Sequence, residues 1–399
     1  MASELRVNQI TSTTGLGTVT FDAAGGVTFV ASPTFTGTPT FTNINTTSIN
    51  TGSISGTRNR VTNGSMRIDQ RYGGQLVNPI TASGYSIDQW IIAIAGTYSV
   101  RTQGNLNSTT PPVGFTSYFG VQNNDVGTPT GTDNLHIQHR VEGHNMSDFA
   151  WGTTNAKTVT LSFWVQSSLV GTYGGCIRNS ANDRSYVYEY RINNANTWEY
   201  KTITIPGDTA GTWLSANNVG IRIIWGLSAG PSSQGTANQW SAGNFTNSTN
   251  GSNWAATASA IFYLTGVQLE VGSRATEFER INYGAELRLC QRYLHVYPVS
   301  TIYAANRYPN VSLGSGTQVP TFLFPVEMRA TPSPSPSTMS VSIDTWAASG
   351  GTTRIMDFQS LSSKCFGFSY LSTSNSGTNL AVGYFGWSNT ATQTFSAEL

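Results

Sequence analysis

Three of the four histidines of this chain stand close together, as His136-x-x-His139 with His144 five positions further on. Clustered imidazoles suggest metal ligation. The spacing is not that of H-E-x-x-H, however, and the nearest carboxylates, Asp133 and Glu142, complete no recognised ligand set. The run LHIQH also alternates, so on a strand His136 and His139 point to opposite faces. The expectation is polar strand or loop histidines, with His295 apart from them, and no metal.

Hydrolysis of a glycosidic bond needs two carboxylates about 5–10 Å apart, one of them with a raised pKa. The chain has 20 acidic residues in 399. Those in suggestive settings are Asp88, Glu189, Glu270, Glu277 and Glu279. Glu277 and Glu279 flank Phe278, with Arg274 and Arg280 nearby, so ion pairing at a junction accounts for them, and the same reading covers Glu270. No G-x-S-x-G, P-loop or dinucleotide fingerprint occurs. The expectation is a protein that is not an enzyme. A polysaccharide depolymerase with a site assembled across chains is the alternative.

Sugar binding asks for less. An aromatic face meets the C–H face of a pyranose, while Asn, Gln, Asp and backbone groups take the hydroxyls. The chain holds 10 Trp, 17 Tyr and 18 Phe. Trp198 with Tyr200, Trp213, Trp240 beside Asn238 and Gln239, and Trp254 beside Asn253 fall in or next to loops. Nearer the carboxy terminus, Trp346 lies by a glycine loop, and Tyr384 and Trp387 belong to the aromatic run VGYFGWSN. The glycan-binding candidates are therefore Trp240, Trp254, Trp213, Trp346, Tyr384 and Trp387, each weighed against simple core or interface packing.

The elements that would position these residues are strands. Charged residues make up 10% of the chain and the net charge is +1, so neither nucleic acid nor an acidic or basic partner is indicated. Gly, Ser, Thr and Asn with many aromatics make sheets joined by loops. No segment reaches the roughly 20 apolar residues of a membrane span, and MASELRVNQITS has no apolar stretch of the kind a secretory leader carries. The cysteines, Cys176, Cys290 and Cys365, include no C-x-x-C and read as buried free thiols.

Residues 1–57 read as an attachment and repeat region. SELRVNQIT is a short strand, SPTFTG (32–37) and TPTFTN (38–43) repeat one unit, and Ile44, Ile49 and Ile54 recur every five residues. One chain could bury almost none of this, whereas three chains wound about a shared axis could. A Thr/Ser/Gly linker is the alternative, although Phe21, Phe29, Phe35 and Phe41 favour the shaft. Residues 58–279 read as one jelly-roll-like β-sandwich. Val159, Leu161, Phe163 and Val165 share a face, as do Val219, Ile221, Ile223, Trp225 and Leu227, and likewise Tyr186, Tyr188, Tyr190 and Ile192. Residues 280–298 predict a linking helix, with Asn282 as N-cap, an apolar stripe of Tyr283, Leu287, Cys290 and Leu294, and Pro298 as its stop. Residues 299–399 return to β signals around a stiff Pro/Ser bend. The class is all-β with one short helix.

The segment QLEVGSRATEFERINYGAELRLCQRY (268–293) is similar to a Q-L-E-x-G-x-x-A-T-x-F-E-x-R…E-L-x-x-C-Q-R-Y signature of bacteriophage tail-fibre and appendage proteins. There it follows a carbohydrate-binding-module-like sandwich. NGSMRIDQR (63–71) and YSIDQW (85–90) resemble the start of the same module, with Gln89 standing where an arginine is usual. TFSAEL resembles the usual end of such chains. The resemblance covers residues 58–399 in pieces and is dense at 268–293. It implies a homotrimeric virion tail fibre assembled in the host cytoplasm, docked on a tail or adaptor protein through residues 1–57 and binding host-surface polysaccharide. The distal tip would be the C-terminal domain. No cofactor is implied, and a structural calcium enters by analogy alone. A capsid fibre or tail connector, with the sandwich as spacer, is the structural alternative.

Overall fold

The computed structural model describes residues 58–297, 323–335, 361–366 and 393–399 in full. It describes the backbone alone of short strands at 9–10, 19–21, 27–29, 48–49, 52–53, 311–313, 322, 338–344, 352–358, 368–370, 380–382 and 384–387. The chain divides into two units, Met1–Thr47 and Ser48–Leu399. In the first, Gln9–Ile10, Val19–Phe21 and Val27–Phe29 form a three-stranded antiparallel sheet. The strand foreseen in SELRVNQIT is Gln9–Ile10. The repeats at 32–43 lie outside the described residues.

The second unit is built on a two-sheet sandwich. Its strands are β1 (Val77–Ile80), β2 (Gly84–Ile87), β3 (Trp90–Ala95), β4 (Val100–Gly104), β5 (Phe119–Asn123), β6 (Asn134–Glu142) and β7 (Val159–Ser167). They continue with β8 (Gly171–Asn179), β9 (Arg184–Ile192), β10 (Glu199–Ile205), β11 (Val219–Ala229), β12 (Gln239–Ala242) and β13 (Ile261–Val271). One sheet has six strands in the order β10-β7-β13-β5-β4-β1, the other seven in the order β12-β9-β8-β11-β6-β3-β2. The non-sequential order and antiparallel pairing make this the jelly-roll-like double sheet that the alternation predicts. Every inward residue named from the sequence on β7, β9 and β11 is buried between the sheets. All but Val219 meet Trp90, Ile92, Phe149, Phe262 and Leu264 in one core.

Helix α1 (Tyr283–Gln291) follows the sandwich, and the Asn282 side chain accepts a hydrogen bond from Gly284 N at 3.0 Å as its cap. Its inward face differs from the predicted stripe. Tyr283 is exposed, and the buried residues of the helix are Glu286 and Cys290. The reason is polar. The Glu286 carboxylate accepts from Asn63 N at 2.6 Å, so a charged side chain occupies the inner turn and the tyrosine is left outside. Asn63 meanwhile receives Trp90 Nε1 at 3.1 Å on its carbonyl and spans Ile68 and Asp88 with its side chain. Gly64 is required here, because a Cβ would lie 2.2 Å from the Val267 carbonyl.

The same economy runs through 268–293. Glu270 accepts from Thr276 N at 2.8 Å and from Gln268 Nε2 at 2.9 Å. Glu279 accepts from the backbone N–H groups of Arg58 and Asn59, both at 2.8 Å. These two carboxylates thus bind N–H groups where ion pairs were expected. Arg292 grips Glu142 with Nη2 at 2.7 Å and Nε at 3.0 Å, and Tyr293 adds its hydroxyl at 2.6 Å. Burial pushes the Glu142 carboxyl up, but these donors outweigh it and hold it below the usual range.

After α1 come β14 (Leu294–Tyr297), β15 (Ser333–Ser335) and β16 (Gln393–Ser396), in the sheet order β14-β16-β15. Arg71 pairs with Glu398, and the Leu399 carbonyl accepts from Tyr85 Oη at 3.0 Å and from Arg140. The last residues thus lie back on the sandwich. Within 299–392, the strands at 368–370, 352–358, 338–344 and 384–387 form a four-stranded antiparallel sheet in that order.

Candidate functional site

Three tryptophans distant in sequence meet where β12, an edge strand of the larger sheet, lies beside the end of β10, an edge strand of the smaller. Trp240, on β12, is in register with Tyr186 on β9 and so turns to the inner face at the open side of the sandwich. Its indole N–H donates to the Pro206 carbonyl, just past β10, at 2.8 Å. Trp213 comes from the loop after β10 and Trp151 from the turn before β7. The three ring pairs are 4.8, 5.3 and 5.4 Å apart between centroids, each near perpendicular. Edge-to-face packing of this kind orients the rings more firmly than burial alone. Trp151 is buried, while Trp213 and Trp240 are half-buried.

The polar partner of this group is an ion pair. Arg184 donates to Asp208 through Nε at 2.8 Å and Nη2 at 2.6 Å, with its Cζ 5.8 Å from the Trp240 ring centroid. Asp208 also accepts from Trp213 Nε1 at 3.2 Å. The forked geometry fixes the guanidinium beside the ring, and Arg184 Nη1 has no partner among the described residues. The arrangement offers two partly open indole rings with oriented hydrogen-bonding groups at their rim. Such a site can bind a pyranose without any reacting group.

Two sequence candidates, Trp213 and Trp240, thus fall together. Trp254 does not join them, and its assignment is corrected. It is 0% exposed, packed in the core with its N–H donating to the Ile261 carbonyl at 3.1 Å. Its Asn/Gly-rich setting misled because Asn253 turns the loop inward, donating to the Gly127 carbonyl and accepting from Ser228. Trp346 lies outside the described residues. Tyr384 and Trp387 lie on a strand whose side chains are outside them.

Trp151, Arg184 and Asp208 were missed. Trp151 carried no loop signal of its own, and an Arg–Asp pair 24 residues apart has no sequence mark. Trp164 was also missed, although it occupies the polar phase of β7. It faces outward and meets Tyr200 of β10 at 5.4 Å, giving a second aromatic pair on the outer face of the six-stranded sheet. Trp198, by contrast, packs on Tyr118 and Tyr263.

The remaining polar candidates lie away from this edge. His136 and His139 are both buried, on opposite faces of β6, and burial lowers them to about 3 and about 4. Glu189 accepts from Asn250 Nδ2 at 3.0 Å and from Ser248 Oγ. Cys176 and Cys290 are buried free thiols, with burial pushing Cys176 up to about 12, whereas Cys365, expected to be buried, is half-buried. No helix among the described residues is long and apolar enough to cross a membrane.

No protein-family model matches this chain, and no curated protein matches it. Among solved structures, the enzymatically active domain of bacteriophage CBA120 tailspike protein 4 is 12% identical, over 53% of this chain and 21% of that one, at a TM-score of 0.28. A family 11 carbohydrate-binding module from Clostridium thermocellum, in complex with a β-1,3-1,4-mixed-linked tetrasaccharide, is 14% identical over 50% of this chain and 96% of that one, at 0.25. A tandem CBM22 domain from Paenibacillus barcinonensis Xyn10C is 8% identical over 83% and 100%, at 0.24. The sandwich assignment itself stands on the strand order and pairing given above.

Proposed function

We propose that this chain is a non-enzymatic glycan-binding fibre protein of a bacteriophage tail, and that Trp213 and Trp240 with Arg184 form a sugar subsite at the edge of its sandwich. The observation that carries the binding reading is the tryptophan cluster. Its N–H groups are held by protein acceptors while two of its rings stay half-open. The virion reading is supported by the resemblance of 268–293. In it, residues 1–57 attach the protein to a tail or adaptor, three chains share an axis, and several trimers raise weak single-site affinity by avidity.

Binding of the purified protein to host cells and to their isolated surface polysaccharide tests the first part. Wild type is expected to bind and Trp240→Ala to lose most of the signal while remaining folded. Equal binding by the two proteins would remove the subsite, and no binding by either would leave the sandwich a spacer. The appearance of new reducing ends in the polysaccharide would overturn the non-enzymatic reading. Light scattering tests the trimer: three chains of 42.8 kDa give about 128 kDa. Immunogold labelling of particles at the tail, against the capsid, tests the location.

One finding favours the spacer as a second reading. Four of the eight charged residues of 268–293, Glu270, Glu279, Glu286 and Arg292, engage partners within the chain.

A further inference from the structure

The outer face of the seven-stranded sheet carries three arginines side by side. Arg140 on β6 is in register with Arg222 on β11, and Arg222 with Arg178 on β8, across three adjacent strands. Like charges directly opposite one another on a sheet face are destabilising, so a row of three asks for a compensating group. Among the described residues no side-chain carboxylate pairs with any of the three, and the last residue, Leu399, brings its terminal oxygen to Arg140 but not to Arg222 or Arg178. Glu398, the acid of the returning tail, pairs with Arg71 instead.

The donors themselves are partly unused. Arg178 is 6% exposed and donates to Asn244 Oδ1, while Arg140 donates to the Leu399 carbonyl, which Tyr85 shares. Between them Arg222 makes no hydrogen bond among the described residues, and the Nε atoms of all three are buried without a partner. Burial, then Arg140 and Arg178, push Arg222 down to about 10, which shows how closely the charges crowd. On the same face of β6 the 4% exposed His136 has neither ring nitrogen in a well-formed hydrogen bond, although Gln138 lies beside it. A half-buried guanidinium that binds no acceptor, as at Arg222, is costly, and an arriving oxyanion would relieve it.

We propose that the row Arg140–Arg222–Arg178 is an oxyanion-binding site and that its ligand is the carboxylate or sulfate group of an acidic saccharide. The oxyanion part stands on the row alone, and the saccharide part rests on the glycan-binding reading above. The site lies on the outer face of the larger sheet. The tryptophan cluster belongs to the inner face at the sandwich edge, so separate variants address the two.

The test titrates the full-length protein with sodium sulfate, glucuronate and glucose at constant ionic strength, following heat released and melting temperature. Sulfate or glucuronate is expected to bind and to raise the melting temperature of wild type, with glucose inert. Response to glucuronate alone assigns a uronic acid, and response to sulfate alone a sulfated sugar. Arg222→Gln is expected to weaken anion binding at least about tenfold, the loss of charge-assisted hydrogen bonds, without lowering the melting temperature of the free protein. Arg222→Lys keeps the charge, loses the fork, and serves if the glutamine variant fails to fold. Equal anion response in wild type and both variants would overturn the site as a general salt effect. Binding that appears only when Glu398 and Leu399 are deleted would make the chain's own tail the occupant and overturn it too. Neutral oligosaccharide binding that depends on Trp240 would survive failure of the anion site, so the two readings fail separately.

Discussion

The junction around α1 and the tryptophan edge use polar groups in opposite ways. At the junction, carboxylates are buried and each is met by donors from distant segments, as Glu286 is by Asn63 and Glu142 by Arg292 and Tyr293. At the edge, the polar contacts of the indoles go largely to main-chain carbonyls, and one Arg–Asp fork sits beside rings that remain half-open. The first pattern spends its charges on holding segments together. The second fixes aromatic faces and leaves part of them uncovered. The charged residues around α1 therefore hold segments together, whereas the edge leaves aromatic surface uncovered.

Comparing Trp254 with Trp240 presses this contrast hardest. Both lie close to an asparagine in sequence, Asn253 and Asn238, but one is sealed in the core and the other is half-buried. Trp254→Ala should cost about 3–5 kcal/mol of unfolding free energy, the usual loss for a fully buried aromatic. Trp240→Ala should cost roughly 1–2 kcal/mol, in proportion to its smaller burial. Denaturant unfolding measures both. Glycan affinity at equal folded fraction should fall for Trp240→Ala and stay unchanged for Trp254→Ala. The reverse pattern would dissolve the distinction between the two regions.

Much of this architecture is legible in the amino-acid sequence. Alternation on β7, β9 and β11 names the buried faces correctly, because a sandwich core demands a period of two. Asn282 is recognisable as a cap from the side-chain chemistry of N-termini. What the sequence does not display depends on register and on long-range contact. Arg140, Arg178 and Arg222 become neighbours only once β6, β11 and β8 are aligned. Trp151, Trp213 and Trp240 meet only because edge strands of two sheets converge. Tyr283 and Glu286 exchange their expected places because Asn63, more than 200 residues earlier, presents a backbone N–H to the carboxylate.

Next in size is the removal of one partner from a buried pair. Arg292→Ala leaves Glu142, itself 2% exposed, with only the Tyr293 hydroxyl. An uncompensated buried charge costs about 3–5 kcal/mol, and the partial exposure of Arg292 places this case at the lower end. Arg184→Ala leaves the buried Asp208 facing Trp213 Nε1 alone among side chains, and should cost less, roughly 1–3 kcal/mol, because the Ala210 backbone N–H still donates to the carboxylate. Thermal unfolding of the two variants ranks them, and an inverted order would show the edge pair to be the more structural.

The regions should also part company with pH. Burial lowers His136 to about 3 and His139 to about 4, so the folded sandwich refuses protons that the unfolded chain accepts below about 6.5. Stability from this source is lost as pH falls from about 6.5 towards 4. At the junction the sign reverses. Burial raises Asp88 to about 6 and Glu398 to about 7, so folded protein holds protons that the unfolded chain has released. That contribution is full below the ordinary carboxylate values and is lost as pH rises through 6 to 7. Hydrogen exchange corrected for intrinsic rates should show protection at Ala397 declining over pH 5–8, while protection within β6 and β11 is lost towards pH 4. Parallel profiles at both places would mean that junction and sandwich open as one unit.

The smallest expected effect tests whether α1 is held by its own cap or by its buried face. Asn282→Ala removes the acceptor of Gly284 N, a loss of about 1 kcal/mol at an ordinary helix start. A helix of 9 residues is too short to persist unaided, so packing must hold it. Glu286→Gln keeps an oxygen for Asn63 N and removes a carboxylate that burial has already raised above its usual range, so it should cost less than the cap. Glu286→Ala strips the acceptor and leaves Asn63 N buried without one, which should exceed both. The ranking Ala at 286, then Ala at 282, then Gln at 286, measured by exchange at Cys290 and Arg292, would show that the inner face of α1 is anchored through a hydrogen bond and does not depend on the charge of Glu286. If Gln at 286 proved as damaging as Ala, the 4.0 Å approach of Arg67 to Glu286 would be the anchor, and the junction would rest on ion pairing after all.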